Sequence, residues 1–394
     1  MFDKVLVLSA SAGAGHVRAA EAVTKAFETL GAAREVRSVD VLQYTNRWFR
    51  WFYSRGYVGL VQKHPHLWGT VYDHTDVPGR YVSSRTTVER IFFRRLTRML
   101  EAERPDLIVS THFMPPEIVA SLRDEGRITC PQAVVVTDLD IHGMWLCRHV
   151  DRYFVTLEET REHLAALGVP RERVTLSGIP IDAVFGETKS REAMCAKHGL
   201  RPDVTTLLVS AGGFGMGPVE TMMRQLLTVE RPMQVIAICG RGESLKRRLE
   251  KLAAGVGEDH PVRLKVVGFT REMDEFMSVS DVLVGKPGGL TTSEALAKGL
   301  AFVIVGPIPG QEERNTDHLL EEGVAIRCNN LPVLAWKIDR LLDDAERMKR
   351  MRADALRLAR PHAARTIVET LLSRAFGTGL SRAFGTGLSL QQSE

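Results

Sequence analysis

No apolar run in the 394-residue sequence approaches the roughly 20 residues of a membrane-crossing helix, so any membrane contact is expected to be peripheral. Cysteine is scarce: Cys130, Cys147, Cys195, Cys239 and Cys328 form an odd set with no C-x-x-C pair. That argues against a disulfide framework or a cysteine zinc site and for reduced thiols in the cytosol. Excess charge is missing too, because 52 Lys and Arg nearly balance 48 Asp and Glu. A net charge of +4 gives no global attraction for nucleic acid. Met1 to Lys4 passes straight into an apolar strand pattern, so no secretory signal is expected.

Acid is absent locally as well. Residues 41–72 hold no Asp or Glu, but they carry Arg47, Arg50, Arg55 and Lys63 among nine aromatic side chains. Arg80, Arg85, Arg90, Arg94, Arg95 and Arg98 extend the basic character. Three readings fit: an interfacial surface on an anionic membrane, a stacking surface for single-stranded nucleic acid, or a buried aromatic cluster with solvated arginines. The run W-F-R-W-F-Y cannot bury every ring on one helical face. That favours the membrane, with Arg47, Trp48, Arg50, Trp51 and Phe52 as contact residues, and no nucleic-acid partner.

A hydrophobic content of 44% and a charged content of 25% are those of a globular protein, and the length suits two domains. Apolar runs at 4–9, 105–110, 132–137, 152–156 and 174–177 read as buried strands of one sheet. Runs at 205–210, 234–239, 263–267, 281–285 and 301–305 read as a second, with helical patterns between. The expected layout is a domain over 1–186, a second over 187–361, and a C-terminal helix and tail over 362–394. Two doubly wound α/β domains facing a cleft is the expected architecture. The eight-residue unit from Leu372 to Gly379 recurs from Leu380 to Gly387, too short a period for a solenoid.

The densest run of special residues is 284–315. Lys286-Pro287-Gly288-Gly289 reads as a turn, and Leu290 leads from it into a helix over 291–298 that starts at Thr291 and holds Glu294. A glycine turn before a helix start offers backbone N–H groups to an anion. Gln311, Glu312 and Asn315 follow the next strand, so the inventory suits a phosphorylated sugar. Thr291-x-x-Glu294 also fits a plain capping box. Gly212, Gly213, Phe214 and Gly215 form a second glycine loop; Arg241 and then Phe269-Thr270 end two further strands, with Phe269 placed against a nucleobase.

Near the start, residues 10–16 join the first strand to a helix over 17–30. Arg18 stands where a dinucleotide fingerprint needs its third glycine, and no G-K-[ST] follows. The loop offers Gly15 and His16 at a helix start, where the dipole disfavours a protonated imidazole. His16 is thus a neutral base or a locally packed side chain. Asp138-Leu139-Asp140 matches a D-x-D metal pattern weakly; Asp138 and His142 fit the acceptor side of the cleft better.

Taken in order, S-A-G-A-G-H, T-D-L-D-I-H-x-x-W, A-G-G-F-G-M-G-P, V-G-F-T, G-K-P-G-G-L-T-T-S-E-A-L and P-G-Q-E-E-R-N resemble the diacylglycerol glycosyltransferases. These comprise monogalactosyldiacylglycerol synthases and bacterial processive diacylglycerol glucosyltransferases. The resemblance spans roughly residues 4 to 370. It implies a GT-B fold and inverting transfer of glucose or galactose from a UDP-sugar to diacylglycerol or a glycosyl-diacylglycerol. It also implies no metal or other cofactor and peripheral attachment to the inner face of the cell membrane. By that resemblance His16 is the base, Glu294 holds the ribose, Lys286, Gly288, Gly289 and residues 212–215 face the diphosphate and hexose, and Gln311, Glu312 and Asn315 bond sugar hydroxyls. Rival expectations are the peptidoglycan lipid-intermediate N-acetylglucosaminyltransferase, a UDP-sugar epimerase, or a non-catalytic membrane-docked sensor of UDP-sugars.

Overall fold

The computed structural model describes residues 1–11, 13–51, 53, 56, 59, 65–76, 92–212 and 218–373. The chain forms two compact units. The first is Met1–Ala183 with Pro309–Gln311 and the segment from Pro361 onward; the second is Val184–Ile308 with Glu312–Arg360.

Each unit is built on a six-stranded sheet in which every pairing is parallel. In the first, β1 (Phe2–Ser9), β2 (Ala33–Asp40), β3 (Leu107–Ser110), β4 (Gln132–Val135), β5 (Arg152–Val155) and β6 (Val174–Leu176) lie in the order β2-β1-β3-β4-β5-β6. In the second, the strands are β7 (Thr205–Ser210), β8 (Met233–Ile238), β9 (Val262–Val267), β10 (Val282–Gly285), β11 (Ala301–Val305) and β12 (Ala325–Cys328). Their order is β12-β11-β10-β7-β8-β9. In both sheets the chain lays strands on one side of its first strand and then crosses to the other. The switch points fall between β1 and β3 and between β7 and β10. Loops at the carboxyl ends of such strands splay apart and leave a crevice for ligand.

The core follows from covering both faces. Successive residues of β1 point to opposite sides, so Val5 and Val7 join one cluster and Leu6 and Leu8 another. Val23 and Phe27 of α1 (Ala14–Thr29) meet the first face, as do Ile367, Val368 and Leu371 of the helix Ala363–Leu372. Phe93, Leu96, Leu100 and Ile118 meet the second. Phe27 is fully buried, which contributes about 1.5–3 kcal/mol relative to exposure. Gly31, at φ +57°, ends α1 while its N–H bonds the Glu28 carbonyl and that of Ala32 bonds Phe27. The C-terminal helix therefore completes the first unit's core.

Candidate active site

At the first switch point, α1 begins at Ala14, three residues earlier than the sequence pattern suggests. Gly13 at its N-cap contributes no side-chain cap. His16 thus falls in the first turn, beside Gly15, with its ring reaching over the ends of the neighbouring strands. Nδ1 lies 3.0 Å from the Thr111 carbonyl oxygen, just past β3, and 2.8 Å from the Thr137 hydroxyl, just past β4. The Thr111 hydroxyl in turn donates to the His16 carbonyl at 2.9 Å. A carbonyl oxygen can only accept, so Nδ1 carries the proton and Nε2 the lone pair. Among the described residues Nε2 makes no hydrogen bond. Burial pushes the pKa of His16 down to about 4, partly opposed by the Thr111 carbonyl. Burial thus favours the neutral imidazole.

His16 opens on a cavity of about 440 Å³. Its walls are Tyr53, Trp68, Tyr72, Phe113, Met144 and Trp145; His16, Asp138 and His142 supply polar atoms, and Gln311 lines it from the short segment grouped with this unit. His142 is held at both ring nitrogens. Nδ1 accepts from the Met144 N–H at 3.1 Å, and Nε2 donates to the Tyr72 carbonyl at 2.9 Å. His142, expected on the acceptor side, thus lines the cavity with its Nδ1 lone pair committed and braces the turn that follows it. Asp76, which follows the helix Pro65–Thr75, accepts from the Gly143 N–H at 2.6 Å and reinforces that brace.

The aromatic segment divides between the two expectations. Phe49 packs with Tyr53, Phe92 and Phe93, with ring centroids 5.0–5.7 Å apart, so part of it is core. Trp51 is 54% exposed, and Leu67 and Val71, four residues apart on the helix Pro65–Thr75, are exposed too. Arg50, expected at the membrane, donates from its guanidinium to the Leu42 and Gln43 carbonyls, which ties it to a turn. Phe52 and the side chains of Arg47 and Trp48 lie outside the described residues, as do Gly213, Phe214, Gly215 and the repeated tail.

At the second switch point, β10 runs into Lys286-Pro287-Gly288 and a helix spanning Gly289–Ala297. Gly285 admits no side chain, since a Cβ there would stand 3.0 Å from the Ser210 carbonyl oxygen. The helix begins two residues before Thr291, and its N-cap is Gly288 with no side-chain cap, so the capping-box reading falls. The first backbone bond back along the helix is Thr292 N–H to the Gly288 carbonyl. The amides of Gly289, Leu290 and Thr291 thus lack helical acceptors, the arrangement an anion favours. Gly212, at φ +68°, bends the chain after β7, and its N–H bonds the Ser210 hydroxyl.

Two expected sugar ligands, Glu312 and Asn315, also make hydrogen bonds that hold their own loops. Glu312 is buried and accepts the Ile308 N–H at 2.7 Å. Burial raises its pKa, and the Lys286 charge opposes that rise. Asn315 is buried and donates to the Pro287 carbonyl at 3.0 Å, so it holds the loop. Glu294, the expected ribose ligand, is buried inside the helix Gly289–Ala297, at 2% exposure. Arg241 lies over the Phe269 ring at 5.4 Å, and Phe269 is 58% exposed. The Thr270 hydroxyl accepts from the Glu272 N–H, so it shapes the loop. Sequence reasoning missed Thr111 and Thr137 as partners of His16. Their only signal is that each is a threonine at the carboxyl end of a strand beside the first glycine loop.

The chain is 30% identical over 378 residues to a processive diacylglycerol beta-glucosyltransferase of Bacillus cereus, covering 94% of this chain and 93% of that protein. The chain belongs to the diacylglycerol glycosyltransferases. Residues 16–181 of this glycosyltransferase match the monogalactosyldiacylglycerol synthase family, beginning at His16, and residues 220–357 match glycosyl transferases group 1. Its fold is similar to that of Acinetobacter baumannii MurG (TM-score 0.60, 16% identity, 93% of this chain and 99% of that one). It is similar also to the S. aureus MnaA–UDP structure (TM-score 0.60, 13% identity, 94% and 96%). The glycosyltransferase has the GT-B fold, as the paired parallel sheets suggested, and it is a hexosyltransferase. No helix among the described residues is long and apolar enough to cross a membrane.

Proposed function

We propose that this glycosyltransferase moves a hexose from a UDP-sugar to diacylglycerol or a glycosyl-diacylglycerol by a single displacement with inversion. The supporting observation is a neutral imidazole whose bare Nε2 opens on an aromatic-walled cavity. Apolar walls suit the glycerol neck of a lipid, and a base beside them suits its hydroxyl. His16 Nε2 takes the hydroxyl proton as that oxygen bonds to the sugar's C1. The bond from C1 to the diphosphate oxygen breaks, and UDP leaves with the electron pair. Lys286 and the uncapped amides of Gly289, Leu290 and Thr291 are assigned to that developing charge, with no metal required. Phe269 is assigned to the uracil face, with Arg241 behind it. Trp51, Leu67 and Val71 are assigned to an anionic membrane surface on the cytoplasmic side.

The test is product analysis with the purified protein. UDP-glucose and UDP-galactose are each offered with vesicles containing diacylglycerol and with its monoglycosylated product. Hexose transfer to the lipid supports the reading, and the His16→Ala variant should bind UDP-sugar without transferring it. Epimerisation of UDP-N-acetylglucosamine, or turnover only with a peptidoglycan lipid intermediate, would refute it.

A further inference from the structure

We propose that Thr137 is a positioning residue for His16: its hydroxyl and the Thr111 carbonyl together hold Nδ1 as the protonated ring nitrogen and share its charge when Nε2 accepts a proton. The inference rests on the reading of His16 as the base.

The geometry decides the direction of each bond. Two oxygens approach one nitrogen, at 3.0 Å from Thr111 and 2.8 Å from Thr137. A bare Nδ1 would set its lone pair against those of the Thr111 carbonyl at hydrogen-bond distance. A protonated Nδ1 instead makes a three-centre bond to both. The Thr111 arm is fixed by backbone, since its N–H bonds the Leu8 carbonyl at 2.9 Å and its hydroxyl bonds the His16 carbonyl. The Thr137 arm depends on a side chain that is 6% exposed and makes no other hydrogen bond among the described residues. Thr111 therefore places the ring and Thr137 completes its hydrogen bonding, from the ends of two neighbouring strands.

That second arm matters because no carboxylate lies within hydrogen-bond reach of either ring nitrogen among the described residues. When Nε2 takes the acceptor's proton, the ring becomes a cation within an apolar wall. Among the described residues its only charge-assisted partner besides the Thr111 carbonyl is the Thr137 oxygen. Around the ring, His112 packs edge-on at 4.6 Å between centroids, and Asp138, His142, Tyr53 and Tyr72 line the same cavity. None of these is hydrogen-bonded to His16 among the described residues. Among the described residues Thr137 is thus the one side chain hydrogen-bonded to the imidazole.

The test is Thr137→Val, near-isosteric and lacking the oxygen, beside Thr137→Ser, which restores it. With UDP-sugar and diacylglycerol vesicles, Val should lower kcat roughly tenfold to hundredfold, the range for a hydrogen bond to a charged group. Both KM values should stay unchanged. The hydroxyl stabilises the imidazolium, so its loss should also move the acid limb of the pH–rate profile to lower pH, and Ser should reverse both effects. Wild-type kcat with an unmoved limb in the Val variant overturns the proposal. So does a loss that Ser does not restore, or one that comes with a lower melting temperature and an unmoved limb, since either marks a packing role. His16→Gln separates the two claims. Full turnover there defeats the reading of His16 itself, whereas an inactive His16→Gln beside a normal Thr137→Val defeats only the inference drawn here.

Discussion

The amide nitrogen of Asn315 donates to the Pro287 carbonyl across 3.0 Å, from the first turns of one helix to the loop that launches another. Both groups are buried, so the bond sets where the Lys286–Gly289 turn lies. Replacing Asn315 with Leu keeps the volume and leaves that carbonyl without the amide. An unsatisfied buried acceptor costs about 1–3 kcal/mol. The KM for UDP-sugar should rise and the melting temperature fall, with kcat at saturation less affected. Steady-state kinetics across donor concentrations and a thermal scan check both.

Asp281 is the staple of the second unit. Its two carboxylate oxygens face the Arg191 guanidinium at 3.1 Å each, Arg352 donates at 3.3 Å, and the Thr206 N–H donates at 2.9 Å. One side chain thus ties β7 and β10 to two helices. Asp281→Ala should destabilise by about 2 kcal/mol, between the values for exposed and buried charged pairs. At this size that shifts the melting temperature by about 4–8 °C. Calorimetry tests it, and a change within the error of the scan counts against the assignment.

Phe269→Ala separates binding from folding. The ring is mostly exposed, so stability should move by less than about 0.5 kcal/mol. If uracil stacks there, the loss is roughly 1–3 kcal/mol of donor binding. Calorimetric titration with UDP reads this directly, and unchanged affinity removes Phe269 from the donor site.

How much of this was legible follows from burial. Strands covered on both faces read as continuous apolar runs, which is why ten of the twelve were recognisable in the sequence. The exceptions are β2 and β12, each at one edge of its sheet. Most of β2 is open to solvent and its sequence, A-R-E-V-R-S-V-D, alternates charge with small residues. The glycine turns and His16 were legible because their residue types are unusual for their places. The bracing roles of Asn315, His142 and Arg50 were not, because spacing cannot say which polar atoms a fold buries. Thr111 and Thr137 were invisible for the same reason: their importance lies in an approach between segments 95 and 121 residues from His16.

Trp51, Leu67 and Val71 expose apolar surface in the segment without acids. Leu67→Ser with Val71→Ser should weaken sedimentation with anionic vesicles and leave activity on a dispersed short-chain diacylglycerol intact. Losing both activities equally would indicate that these residues serve the fold or the cavity instead of a lipid surface.

The His16 imidazole fixes the last expectation. Its pKa of about 4 lies below the ordinary histidine value of about 6.5 because burial penalises the cation. The neutral form is the base, so the acid limb of kcat/KM in the free enzyme should fall near pH 4 instead of pH 6.5. Stability carries the same sign. Between these two values the unfolded chain holds a proton on this residue that the native protein does not. Unfolding therefore becomes easier as pH drops through that window, and above it the residue contributes no slope. His16→Gln removes the titrating group and should flatten this part of the stability profile. Denaturant titrations from pH 4 to 8 on both proteins measure it. An identical slope in the two would mean that folding leaves the ring at its ordinary pKa, so that burial does not hold Nε2 unprotonated between about pH 4 and 6.5.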